Sequence, residues 1–334
     1  MKSYHITEGG RLTLREHPVP EPGPGQVLVR MRANGLSFRD LTVLAGDYPL
    51  PVRPEVVAGC EGVGEVVAVG AGVTTLAAGC RVAFTVFPEW LDGPFGLDRA
   101  AQLGSALDGT LTEYAVAAER GLVRLPEHLS YEEAAALPLT TLTAWNALTG
   151  GRPLLPGETV LTSGTGAVSL AAVQLALLAG ARVIATTSGP ARADRLKALG
   201  AHEVVDRSEH AEWQLRVREL TDGRGADTVV HVAGDLERSV RAAALGGEIA
   251  YVGHRVGAAP TGRPLEAGLL FGAGVRVRPL AVGSRAQFTA LNRALTVHRI
   301  RPLLDRVFPF GELSRALGHL REGTAFGRVV LAHG

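Results

Sequence analysis

Cysteine is nearly missing: among 334 residues only Cys60 and Cys80 carry thiols. Two thiols build neither a disulfide framework nor a thiolate zinc cluster, and free thiols fit a reducing compartment, so a cytoplasmic location is expected. Excess charge is missing too. Lys and Arg number 34 against 33 Asp and Glu, a formal net charge of +1, which leaves nothing to neutralise a phosphate backbone and argues against a nucleic-acid partner. The start, Met1-Lys2-Ser3-Tyr4-His5, lacks the apolar core of a signal peptide. The longest apolar stretch, Ala167 to Ala185, is broken by Ser169, Gln174, Gly180 and Arg182. It reads as a buried helix leading into a strand, and no membrane is expected. Ten histidines form no closely spaced ligand pair, His254 and His298 look incidental, and no G-x-S-x-G elbow occurs.

What is present fits two domains. Hydrophobic residues make up 46% and charged residues 20%, ordinary globular usage at a length too great for one small core. In the first third, "GQVLVRMRANGLS" and "GCEGVGEVVAVGAGV" set β-branched residues between turn formers, which predicts short strands with bulges and close backbone approach. From Phe84 to Thr110 runs an irregular aromatic and Pro/Gly segment, a loop of functional or mobile character. Near Ser130 the texture changes. Ser130 with Glu133 forms a capping-box signal, and strand and helix patterns then alternate, which calls for a parallel sheet covered on both faces. The closing strand–helix–strand piece, "DRVFPF…LSRALGHLREG…GRVVLAHG", most economically rejoins the first lobe.

Gly164-Thr165-Gly166-Ala167-Val168-Ser169 follows a strand and opens an apolar helix. Small residues there let the backbone approach a pyrophosphate, and the helix N-terminus offers its N–H groups to the phosphate oxygens. The same turn without a ligand is the plainer reading. About 20 residues beyond, an NAD site expects an acid for the ribose hydroxyls. Here the strand ends Thr187-Ser188-Gly189 without a carboxylate. Thr187 and Ser188 can donate to a phosphate and Arg192 and Arg207 can neutralise it, unless both arginines only decorate the surface. NADP(H) is therefore expected, with NAD(H) the alternative.

The ordered set "ANGLSFRDL", "GCEGVGEVVAVGAGV", "GTLTEYAV", "AALPLTTLTAWNAL", "GTGAVS" and "VGSRAQF" resembles the medium-chain dehydrogenase/reductase superfamily over nearly the whole chain. The likeness is greatest to its zinc-free, quinone-oxidoreductase-like and alcohol dehydrogenase-like branch. It implies an α/β fold: a Rossmann doubly wound parallel sheet at 129–284 plus a discontinuous GroES-like β-barrel catalytic domain at 1–128 and 285–334. It also implies a homodimer, with "VRVRPLAV" as an edge strand. Zinc-dependent members hold catalytic zinc with a Cys, a His and a second Cys. The matching positions are Ser37, Cys60 and Leu139, and residues 81–334 contain no cysteine for a structural zinc lobe. Three protein ligands cannot be assembled from these, even with Glu61, so no zinc is expected.

For the cofactor, the resemblance places Thr143 at the nicotinamide end and Ala233, Gly234, Val252 and Gly253 along the cofactor path. Gly283, Ser284 and Arg285 would lie beside the nicotinamide, and Arg328 would reach the phosphates. For chemistry it points to Tyr48, matching a tyrosine near the substrate in the quinone-reductase branch, and to Ser37 at the lost zinc-ligand position. A barrel-edge tyrosine satisfied by backbone is the alternative for Tyr48. Asp40 either orients this segment or caps a helix. Cys60 is a redox-sensitive thiol or a small buried filler. Trp90 and Phe95 wall an apolar pocket or anchor their loop.

Without a metal to polarise oxygen, substrates already activated by conjugation suit the site best. The expected reaction is hydride transfer from NADPH to a quinone or an activated alkene, with a hydrogen-bond donor stabilising the resulting oxyanion. A metal-free alcohol dehydrogenase or carbonyl reductase and a non-catalytic NADPH-binding protein are the alternatives.

Overall fold

A computed structural model describes residues 1–253 and 265–334. Two compact units emerge: Met1–Leu142 together with Val282–Gly334, and Thr143–Ala281. The first stretch contains β1 (Lys2–Thr7), β2 (Arg11–Glu16), β3 (Gln26–Leu36), α1 (Phe38–Leu44), β4 (Val63–Val69), β5 (Arg81–Phe84), β6 (Tyr114–Ala118), β7 (Leu122–Arg124) and α2 (Tyr131–Ala134). A π turn at Leu137–Thr141 leads into α3 (Leu142–Thr149). The second unit then alternates β8 (Thr159–Ser163), α4 (Ala167–Leu178), β9 (Arg182–Thr187), α5 (Pro190–Ala198), β10 (Glu203–Asp206) and α6 (Trp213–Glu219). It continues with β11 (Ala226–His231), α7 (Leu236–Ala242), β12 (Ala243–Tyr251), α8 (Ala267–Ala273) and β13 (Arg276–Pro279). The chain returns to the first unit through α9 (Arg285–His298), β14 (Leu304–Pro309), α10 (Leu313–Glu322) and β15 (Arg328–Ala332).

In the first unit β3 is the spine, hydrogen-bonded to β15, β4 and β6, in a sheet of order β14-β15-β3-β4-β5-β7. Glycine texture in β4 has a local cause. A Cβ on Gly64 would stand 2.2 Å from the Arg30 carbonyl oxygen, where the β3–β4 register shifts. Leu36, Val43, Phe308, Leu313, Leu317 and Leu331 pack α1 and α10 against the sheet, each contributing about 1.5–3 kcal/mol by burial.

The unit boundary falls after Leu142, later than the break at residue 128 expected from sequence. The reason lies in α2. Ser130 and Glu133 cap it reciprocally, Arg81 stacks 4.5 Å from the Tyr131 ring centroid, and Glu133 pairs with Arg301. These contacts hold α2 to the first unit. The aromatic loop is likewise anchored. Phe87, Trp90 and Phe95 meet edge to face with centroids 4.9–6.4 Å apart. The Trp90 and Leu91 carbonyls accept the first N–H groups of α9, from Arg285 and Ala286, which a helix start would otherwise leave unmet.

The second unit is a six-stranded parallel sheet of order β10-β9-β8-β11-β12-β13. Strands β8, β9 and β11 are almost wholly buried, as helices on both faces require. The chain steps outward from β8 through β9 to β10, then crosses to β11 on the other side of β8. That reversal is a topological switch point, where open α/β sheets bind ligands at the carboxyl ends of their strands. Ala167 to Ala185 resolves into α4 and most of β9. Among the described residues no helix is long and apolar enough to cross a membrane.

Candidate active site

At the switch point, Gly164 adopts φ +83° and donates its N–H to the Thr186 carbonyl at 2.9 Å. Only glycine takes this conformation without strain. Gly166 is the N-cap of α4 with no side chain capping it, and a Cβ at Gly164 or Gly166 would meet no atom within 4 Å. The space above the turn is open. Thr165 is buried, and Ala167 and Val168 form the first turn of α4. Ser169, at the third small-residue position, donates its hydroxyl to the Ser163 carbonyl at 2.8 Å, binding helix to strand.

At the end of β9, Thr187 is buried and its hydroxyl has no hydrogen-bond partner, while Ser188 is exposed. Arg207 donates from its backbone N and its Nε to the Thr187 carbonyl, at 2.8 and 3.3 Å, and burial pushes its guanidinium down. Arg192 stands in the first turn of α5. Thr187, Ser188 and Arg207 are thus brought together. Asp206 was missed from sequence because the acid was sought on β9 rather than β10; its signal was the Asp closing "EVVD". Its carboxylate accepts from Gly189 N at 3.0 Å and from Ser208 N and Oγ at 2.9 and 2.7 Å. Those bonds hold it below the usual carboxylate range.

Ala233 and Gly234 follow β11, and Val252 and Gly253 follow β12, whose Val252 N–H reaches the His231 carbonyl at 2.9 Å. They share the carboxyl edge of the sheet with Gly164. Thr143 is buried in α3. The other expected cofactor residues have partners within the protein. Gly283 packs where a Cβ would meet Leu142 Cγ at 2.8 Å. Ser284 caps α9, its Oγ accepting from Gln287 N at 3.2 Å, and Arg285 Nε donates to the Leu122 carbonyl at 3.2 Å. Arg328 is buried and ion-paired with Glu61, the two side chains being 3% and 0% exposed. His254 lies outside the described residues.

In the first unit, Ser37 is the N-cap of α1 and donates its N–H and Oγ to Asp40 at 2.8 and 3.0 Å. Asp40 is therefore a capping residue. Tyr48 donates its hydroxyl to Gln102 Oε1 at 2.6 Å, so a side chain, not backbone, satisfies it. The Arg39 guanidinium lies 4.7 Å from the Tyr48 ring centroid and donates from Nη2 to the Leu103 carbonyl at 3.0 Å. Cys60 is buried, and burial pushes its thiol up to about 11, with Asp40 adding and Arg39 and Arg328 opposing. A thiol so protonated is a filler rather than a nucleophile. Burial also lowers Arg328 to about 10, against Asp40 and Cys60; it stays charged at neutral pH. Leu139 sits in the π turn, where the Thr140 and Thr141 hydroxyls both donate to the Ala136 carbonyl at 2.8 Å. Nothing in the sequence patterning announced this turn, a form that recurs at functional sites. Among the described residues no group of three or more His, Cys, Asp or Glu is placed to hold a metal.

Residues 23–127 match the alcohol dehydrogenase GroES-like domain and residues 167–296 the zinc-binding dehydrogenase family. A zinc-type alcohol dehydrogenase-like protein of Schizosaccharomyces pombe is 34% identical over 328 residues, 96% of this chain and 95% of that one. The chain belongs to the medium-chain dehydrogenase/reductase superfamily. Within the superfamily, a quinone oxidoreductase of Pseudomonas aeruginosa is 38% identical over 67% of this chain and 62% of its own. A solved Sinorhizobium meliloti structure assigned as an alcohol dehydrogenase superposes with TM-score 0.92 at 36% identity, covering 99% of this chain and 98% of that one. The quinone oxidoreductase of Pseudomonas syringae pv. Tomato gives 0.82 at 29% identity, covering 99% of each. Dehydrogenases of this superfamily bind nicotinamide cofactors, and the chain is an oxidoreductase of that kind.

Proposed function

We propose that this chain is a zinc-free, NADPH-dependent reductase of quinones or activated alkenes. The observation that carries the reading is the set of groups at the zinc-ligand positions and beside them. Ser37 gives its hydroxyl proton to Asp40, Cys60 holds a thiol raised to about 11, and Leu139 has no donor atom. Glu61 is paired with Arg328. This set does not fit zinc, which needs three nitrogen, sulfur or carboxylate ligands, and no step is assigned to a metal. A hydroxyl donor is present in the Tyr48 phenol, which has a guanidinium on its face.

The turn at Gly164–Val168 fits a dinucleotide, since its open space is what a pyrophosphate needs and a side chain would fill. The unpartnered Thr187 hydroxyl, exposed Ser188, Arg207 and Arg192 favour a 2′-phosphate, with Asp206 engaged by Gly189 and Ser208. Thr143, Ala233, Gly234, Val252 and Gly253 would complete the cofactor-binding set. When bound, the reduced nicotinamide supplies a hydride. Tyr48 leaves Gln102 to donate its proton to the reduced substrate, and Ser37 holds the start of α1 in place. The free thiols favour a cytoplasmic setting. A homodimer is part of the proposal: β13 is an edge strand, and Leu245 and Phe271 near it are 80% and 91% exposed.

The test is turnover of quinones, enones and aldehydes with NADPH and NADH, using NADPH deuterated at the transferable position. Deuterium at the β-carbon of an enone is the expected outcome. Deuterium at an aldehyde carbonyl carbon alone would favour a carbonyl reductase, and tight coenzyme binding without turnover would favour a binding protein. Tyr48→Phe is expected to lower kcat about 100-fold with coenzyme affinity unchanged. An NADH preference above about tenfold would overturn the cofactor assignment.

A further inference from the structure

Arg39 has a feature that the reductase reading leaves unexplained. Its side chain is only 9% exposed, yet Nε and Nη1 have no hydrogen-bond partner. Native proteins seldom bury donors unmet, and charged donors least of all. Nη2 is fixed by the Leu103 carbonyl at 3.0 Å and the guanidinium carbon stands over the Tyr48 ring, so the group is held rigidly. Asp40 lies 3.8 Å from Nη1, beyond hydrogen-bond range, and its Oδ2 accepts both protons offered by Ser37. What remains is a fixed cation, ion-paired with Asp40 and set against the Tyr48 side chain, whose Nε and Nη1 still lack an aligned acceptor.

We propose that Arg39 is a catalytic residue of this oxidoreductase, binding the substrate's carbonyl oxygen through Nε or Nη1 as that oxygen becomes an enolate or phenolate. The inference rests on the reductase reading and names its substrate contact. When hydride adds to the β-carbon of an enone, the alkene π pair forms the new bond to the carbonyl carbon and the carbonyl π pair moves onto oxygen. The two electrons and the hydrogen come from a reduced nicotinamide, which is oxidised in the step. Arg39 donates to the oxyanion, a preorganised charge aimed at where charge develops. The enolate then reforms its C=O bond as the α-carbon takes the phenolic proton of Tyr48, and the phenolate regains a proton from solvent.

The experiment compares wild type, Arg39→Met and Arg39→Lys in the full chain, with 4-nitrophenol as the oxyanion probe because its anion absorbs visibly. Wild type is expected to bind the anion and raise the ionised fraction. Arg39→Met should weaken that binding by at least about tenfold and lower kcat on enones or quinones by about 100- to 1,000-fold, and Arg39→Lys should restore part of both. Coenzyme affinity, followed by protein fluorescence, should stay within about twofold. If Arg39→Met binds the anion and turns over as wild type does, Arg39 only braces Leu103 and Tyr48, and the proposal falls while the reductase reading stands. Arg39-dependent anion binding in a wild type that reduces nothing on the panel would support the oxyanion site and overturn the reductase reading. Should Arg39→Met fail to fold, Arg39→Lys decides: unchanged anion binding and unchanged kcat overturn the proposal.

Discussion

Glu61 and Arg328 are almost fully withdrawn from water. Each ion alone in such a place costs several kcal/mol, and only its partner offsets that. Glu61→Ala is therefore expected to destabilise the protein by about 3–5 kcal/mol, read as a lower urea midpoint at unchanged slope. Two histidines act through protons instead. Burial lowers His231 and His333 to about 4, with Asp235 opposing for His231 and Arg32 reinforcing for His333. His231 touches Ser239 Oγ at 2.9 Å and His333 touches Asn34 Oδ1 at 2.7 Å. Between the unfolded value of about 6.5 and the folded one, the unfolded chain binds more protons, so stability falls as pH drops. The loss is complete below about 4. Unfolding free energies from urea titrations at pH 7 and pH 5 should differ by about 1–2 kcal/mol per histidine, and His333→Asn should flatten the dependence.

At the level of elements, α4 and its turn carry the sharpest expectation. Gly166 sits at a negative φ of −74° with open space at its Cβ, so Gly166→Val should fold normally. The added isopropyl group fills the space a pyrophosphate needs. Coenzyme affinity should drop by at least about tenfold in a fluorescence titration, with thermal stability unchanged; retained binding would put the dinucleotide elsewhere. The turn and the Ser130 capping box were legible because both are local, set by residues within a few positions of one another. The π turn at Leu137–Thr141 was not, since its wide hydrogen bond from Thr141 N to the Ala136 carbonyl depends on how the chain enters α3.

For the whole molecule, the proposed homodimer makes a simple prediction. Phe271→Asp, at a side chain 91% exposed, should convert dimer to monomer by light scattering while coenzyme binding persists; a monomeric wild type would end the proposal. Strand and helix alternation, a parallel sheet covered on both faces and the return of the tail were legible in the residues, whereas the doubly wound arrangement came with the family resemblance. Hydrophobic patterning repeats over many residues, and such patterns survive without knowledge of partners. The partners themselves were decided only by folding. Nothing local pairs Arg328 with Glu61 until β15 brings the two together. Asp206 went unnoticed until β10 lay beside β9, and Arg39 until α1 and the Gln102–Leu103 loop closed around it. A hydrogen bond or ion pair between residues far apart in sequence has no local signature, because a charge's role depends on what desolvates and answers it.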